Sequence, residues 1–124
     1  MSTALPAPMR LFVRLELGEG LAIGPGKANL LQGIAETGSI AAAARRMGMS
    51  YKRAWLLVED LNSAFRVPLV TATRGGPGAG GAKLTAEGEA VLAAYRALQA
   101  DATRAAEPHA QAIARLARPA PARP

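Results

Sequence analysis

The sequence predicts an α+β fold that is mainly α, on three observations. An alternating apolar run follows a short tail, and a series of segments with helical spacing and polar caps comes after it. A glycine-rich stretch beside β-prone residues then separates the third such segment from the last. The 124 residues suit one domain, and 50% of them are hydrophobic. Aromatics are scarce: Trp55, Tyr51, Tyr95, Phe12 and Phe65. The core is therefore expected to be built from Leu, Ile, Val, Met and Ala, and so thin a core is expected to need a partner subunit.

In chain order, residues 1–8 read as a frayed tail. From Arg10 to Leu17 the pattern has period two, with Leu11, Val13, Leu15 and Leu17 on one side, as in a half-buried strand. Gly18-Glu19-Gly20 turns the chain, and Leu21-Ala22-Ile23 is expected to pair back. Lys27 to Thr37 reads as a helix with Leu30, Leu31, Ile34 and Ala35 on one face. Gly38 suits its left-handed stop, and the Ser39 hydroxyl can cap the next helix, Ile40 to Met47. After Gly48, Ser50 caps a third helix running to about Phe65. Its inner side carries Ala54, Leu57, Val58, Leu61 and Phe65, and its outer side Lys52, Arg53, Leu56, Glu59, Asp60 and Ser63.

Beyond Pro68, Leu69 to Thr73 is β-prone, and Arg74 to Lys83 reads as a flexible glycine-rich loop with a base at each end. Thr85 can cap a fourth helix striped by Val91, Leu92, Tyr95, Leu98 and Ala102. Pro108 is expected to interrupt it, with Ile113 and Leu116 in one further short helix and a Pro/Ala-rich disordered end. The expected organisation is thus a tail over 1–8, one domain over 9–107, and a short helix with a tail over 108–124.

Charge narrows the function. The net charge is +6, of which the stretch from Arg45 to Lys83 supplies +5: Arg45, Arg46, Lys52, Arg53, Arg66, Arg74 and Lys83 face only Glu59 and Asp60. Concentrated positive charge attracts polyanions. The absence of cysteine excludes disulfides, thiolate zinc sites and thiol nucleophiles. Glu87 and Glu89 sit where acids complement a helix dipole, and His109 reads as a surface residue. No nucleophile–base–orienter set, metal-ligand spacing or cofactor motif is found, so no catalytic residue and no cofactor are expected. A phosphate-cradling P-loop is rejected because Ala82 separates Gly81 from Lys83. With no signal-peptide pattern and no membrane-length apolar run, a cytoplasmic address is expected.

A strand pair, three helices with a tight glycine turn before the third, a strand–loop–strand and a long final helix together spell a winged helix-turn-helix. A helix enters the DNA major groove when a scaffold buries its back, and the third helix meets that need. Its expected DNA contacts are Ser50 and Tyr51 in the first turn, where backbone N–H groups favour phosphate, and Lys52 and Arg53 beyond them. Ser39, Arg45 and Arg46 of the second helix join them, with Thr73, Arg74, Gly75, Gly76 and Lys83 of the wing on the sugar-phosphate rail. Tyr51 stays open between phosphate bonding and a wall of the core; Trp55 is expected to pack in the core, with stacking on DNA as the alternative. The stripe of Val91, Leu92, Tyr95, Leu98 and Ala102 is expected to pack on a second copy, the alternative being closure of the chain's own core.

These residues also carry a resemblance. Gly38-Ser39-Ile40, Ala44, Gly48-Met49-Ser50-Tyr51-Lys52-Arg53-Ala54-Trp55 and Leu61-Asn62 resemble the DNA-binding domain of ModE-type molybdate-dependent transcriptional regulators. The run from Thr73 through Gly81-Ala82-Lys83-Leu84-Thr85 to Gly88 resembles that family's wing and the start of its dimer helix. The wider resemblance is to the N-terminal domains of LysR-type regulators. The ModE-type resemblance covers roughly residues 10–107 and implies a homodimer on a pseudo-palindromic operator, with control of molybdenum-related genes. Such regulators sense molybdate through C-terminal oxyanion-binding domains, for which this sequence has no room, so direct molybdate binding is not expected. The rival readings are a non-specific architectural DNA binder, a protein-interaction module in a winged-helix shell, and a small-ligand sensor.

Overall fold

Serine and threonine stand where helices must begin and glycine where they must end, and the chain folds accordingly. The computed structural model describes residues 9–74 and 80–118. A short hairpin, β1 (Leu15–Leu17) and β2 (Leu21–Ile23), leads into α1 (Pro25–Thr37), α2 (Ile40–Arg46) and α3 (Tyr51–Ala64). A second hairpin, β3 (Val70–Arg74) and β4 (Gly80–Leu84), precedes the long α4 (Ala86–Ala114). Both hairpins are antiparallel, with Leu15 opposite Ile23 and Val70 opposite Leu84. This is a winged helix.

The caps explain the boundaries. Pro25 opens α1 with the φ a first turn needs, and Gly38, at φ +73°, closes it by donating its N–H to the Ile34 carbonyl. Ser39 Oγ accepts the Ala42 N–H, Ser50 Oγ the Arg53 N–H and Thr85 Oγ1 the Gly88 N–H, so each later helix starts on a side-chain cap. Gly48, at φ +68°, makes the turn between α2 and α3.

The core is aliphatic, as the composition requires. Leu30, Leu31, Ile34, Leu61 and Leu69 are its largest fully enclosed side chains, and the described residues bury no charged group. Gly33 lets α1 lie on α2: a Cβ there would stand 2.9 Å from Ala43 Cβ. At Gly88 a Cβ would run into the Leu69 carbonyl, so the start of α4 is pressed against the entry to β3.

Several expectations change. The N-terminal strand spans Leu15–Leu17 rather than Arg10 to Leu17, because a two-stranded ladder cannot outrun its shorter strand, and Gly24-Pro25 ends β2. Its residues are exposed rather than half-buried. Ala35 is exposed, off the buried face of α1. Pro108 does not interrupt α4, which continues to Ala114; the carbonyl that Pro108 leaves without its N–H partner lies on an exposed, alanine-rich helix where water can satisfy it. Ile113 therefore belongs to α4, with no separate short helix after it among the described residues, and the expected boundary at 107/108 falls inside one helix.

Finally, the described residues of the glycine-rich segment, Arg74 and 80–83, are strand. Gly80 pairs with Arg74, Gly81 with Thr73 and Ala82 with Ala72, so β4 takes up residues expected in the loop. Only glycine fits beside Thr73, whose hydroxyl occupies the place of a Cβ at position 81. Gly75 and Gly76, the expected tail over 1–8 and residues 119–124 lie outside the described residues.

Candidate nucleic-acid interface

The exposed surface of α3 is built by what its other side must do. Ala54, Val58 and Leu61 are buried against the helices before it, with Leu57 and Phe65 half-buried at the edges. This fixes the opposite side in solvent: Tyr51, Lys52, Arg53, Leu56, Glu59, Asp60 and Ser63 are all exposed. Ser50 is exposed at the head of the helix, and its oxygen is engaged with the Arg53 N–H at 3.1 Å while its hydroxyl proton remains for an anion.

Arg45 and Arg46 close α2, where cations complement the dipole, and both are exposed. Arg46 is partnered: it forms an ion pair with Glu36 of α1. The hydrogen bonds from Arg46 and Gln32 hold the Glu36 carboxyl below its ordinary pKa. Arg45 is therefore the freer of the two bases. Ser39 is half-buried, committed to its cap.

Two devices hold the wing beside α3. Asn62, in the last turn of α3, donates Nδ2–H to the Val70 carbonyl at 3.0 Å and accepts the N–H groups of Leu69 and Val70 at 2.8 and 3.1 Å. From the other side, the Ala82 N–H donates to the Gly38 carbonyl at 2.9 Å, tying β4 to the turn between α1 and α2. The result is a groove of about 520 Å³ between α3 and the wing, lined by Ser39, Tyr51, Trp55, Asn62, Thr71 and Thr73 among others. Lys83 is exposed on β4, opposite Thr71. Arg74 ends β3 by its backbone; its side chain is outside the described set.

Trp55 corrects an expectation. It is 43% exposed, not packed in the core, because it sits at the rim between the buried ridge and the solvent face and looks onto the groove. Tyr51, 55% exposed, lines the same groove and is no wall of the core. The α4 stripe also divides. Leu92 and Tyr95 are only 8% and 3% exposed within the single chain, so they close its own core rather than face a partner. Val91, Leu98 and Ala102 are half-buried and still present surface.

Sequence reasoning did not single out Asn62 as the wing's tether. The available signal was an asparagine just ahead of the helix end and the β-prone run, whose side-chain amide can bond backbone groups beyond the helix. Among the described residues no group of three His, Cys, Asp or Glu could hold a metal ion, and no helix is long and apolar enough to cross a membrane.

Comparison with known proteins places this geometry. The chain is 48% identical over 81 residues to the molybdenum-pterin-binding protein MopB of Rhodobacter capsulatus, covering 65% of this chain and 30% of that one. It is 36% identical over 85 residues to the DNA-binding transcriptional dual regulator ModE of Escherichia coli strain K12, covering 68% and 32%. The chain thus spans about a third of the length of these curated relatives. Among solved structures it is similar to the DNA-binding domain of CbnR in complex with DNA, with a TM-score of 0.56 and 27% identity over 71% of this chain and 95% of that one. Residues 27–89, from the start of α1 into α4, match the bacterial regulatory helix-turn-helix proteins of the lysR family, and the chain belongs to that family.

Proposed function

We propose that this chain is a sequence-specific DNA-binding transcriptional regulator linked to molybdenum-related genes, acting as a homodimer without enzymatic activity. The observation that carries the reading is the two-sided character of α3. Lys52 and Arg53 stand exposed at its start while Ala54, Val58 and Leu61 anchor its back, the arrangement a helix needs to enter a major groove. Exposed Arg45 and Lys83 extend the positive surface on either side, where phosphates flank the groove. The names of the relatives support the molybdenum link, and the CbnR neighbour was solved with DNA.

In the homodimer, α4 supplies the contact through Val91, Leu98 and Ala102, continuing along its exposed far end past Ile113. Two copies of α3 then reach two half-sites related by the dimer axis, which is why the operator is pseudo-palindromic. Selection of bound duplexes from a random library, followed by gel shifts at two salt concentrations, tests the reading. Arg53→Ala should weaken binding and blur the sequence preference. Lys83→Ala should weaken all duplexes alike and lower the salt slope by about one. Equal affinity for the selected and random duplexes would overturn it.

A further inference from the structure

The exposed ridge of α3 is not uniformly basic. Its first turn carries Lys52 and Arg53 and its third Glu59 and Asp60, but the turn between them presents Trp55 and Leu56, 43% and 49% exposed. Spacings of three and four residues put Lys52, Trp55, Leu56 and Glu59 side by side on the helix surface. The middle of the ridge is therefore apolar, bounded by bases at one end and acids at the other. Both side chains keep solvent-facing surface among the described residues, and Leu56 lies on the side of α3 facing away from the core.

A recognition helix in the major groove brings its N-terminal residues to the base edges, and Trp55 and Leu56, one turn in from Lys52 and Arg53, come next along that groove. An apolar middle offers little to the hydrogen-bonding edges of guanine, adenine or cytosine. The one apolar feature on the major-groove edge is the C5-methyl group of thymine. The basic first turn identifies the occupant as a polyanion, and the apolar turn after it selects among its sequences.

We infer that Trp55 and Leu56 read thymine methyl groups, beside the polar contacts of Lys52 and Arg53, so that thymine in each half-site is a specificity element of this regulator. The inference rests on the DNA-binding reading above. Only the methyl's removal from water is at stake, so each contacted methyl contributes about fourfold in affinity.

The test replaces thymidine with deoxyuridine throughout the selected duplex, which removes each methyl and leaves the pairing unchanged. A random duplex in both forms sets the background ratio. The wild-type protein should bind the uridine duplex about sixteen-fold more weakly, for one methyl contacted in each of the two half-sites. Trp55→Ala and Leu56→Ala should bind the thymidine duplex more weakly and lose most of that discrimination. Equal binding of both duplexes by the wild type overturns the inference while leaving sequence-specific binding intact. A wild-type ratio retained by Trp55→Ala and Leu56→Ala also overturns it. A selection that returns no preferred sequence overturns this inference and the regulator reading together. The uridine comparison needs no variant to fold.

Discussion

Asn62 and Val70 exchange two hydrogen bonds, Nδ2–H to the Val70 carbonyl at 3.0 Å and the Val70 N–H to Oδ1 at 3.1 Å. A neighbouring strand would offer β3 the same pair of partners, so one side chain of α3 acts as a one-residue strand. Through it, the wing is held directly by the helix that bears Lys52, Arg53 and Trp55.

Asn62→Ala should therefore loosen the wing before it loosens anything else. It strands the N–H groups of Leu69 and Val70 and the carbonyl of Val70, where β3 enters the core. The expected loss is about 2–3 kcal/mol, read as a lower unfolding midpoint in urea. Hydrogen exchange should accelerate first at Leu69 and Val70. Unchanged protection at those two amides would show that the tether is dispensable.

Gly33→Ala tests the contact of α1 with α2. The new methyl meets Ala43 Cβ at 2.9 Å, and the overlap should cost about 1–3 kcal/mol. Adding Ala43→Gly removes the opposing methyl and should recover part of the loss, less about 1 kcal/mol for glycine inside a helix. Thermal unfolding of the two single variants and the double variant measures the coupling.

Tyr95 joins α4 to the N-terminal segment by donating its phenolic O–H to the Val13 carbonyl at 2.6 Å. Burial raises its pKa above 10.0, the ordinary value. The neutral form is thus favoured by folding, and its contribution is complete below pH 10 and lost as pH climbs from there through the raised folded-state value. Tyr95→Phe should cost about 1 kcal/mol at neutral pH and flatten the decline above pH 10. Urea titrations at neutral and alkaline pH follow both effects.

Leu98 and Tyr95 separate dimerisation from folding. Leu98→Asp places a charge on the half-buried outer face of α4 and should shift sedimentation from dimer to monomer, with the helical signal retained. Tyr95→Ala, which empties a buried position, should instead lower the unfolding free energy by about 3–5 kcal/mol. A monomeric wild-type protein at micromolar concentration would contradict the proposed assembly.

What the chain settled by itself is the local part of this architecture. Helix starts at Ser39, Ser50 and Thr85, stops at Gly38 and Gly48, and the outward placement of Lys52 and Arg53 were all readable, because caps and faces depend on residues within a turn or two of one another. Packing between distant segments decided the rest. Trp55 lies at the rim of α3, where only the neighbouring surfaces determine whether it is covered. Leu92 and Tyr95 have helical spacing whether they meet their own core or another chain, and Asn62 finds its partners seven and eight residues away, across a change from helix to strand. Pro108 removes one N–H and crowds the carbonyl a turn before it, yet α4 runs through it, an outcome the local pattern did not give. Periodicity names the face a residue occupies; what that face meets is set by contacts that no local pattern encodes.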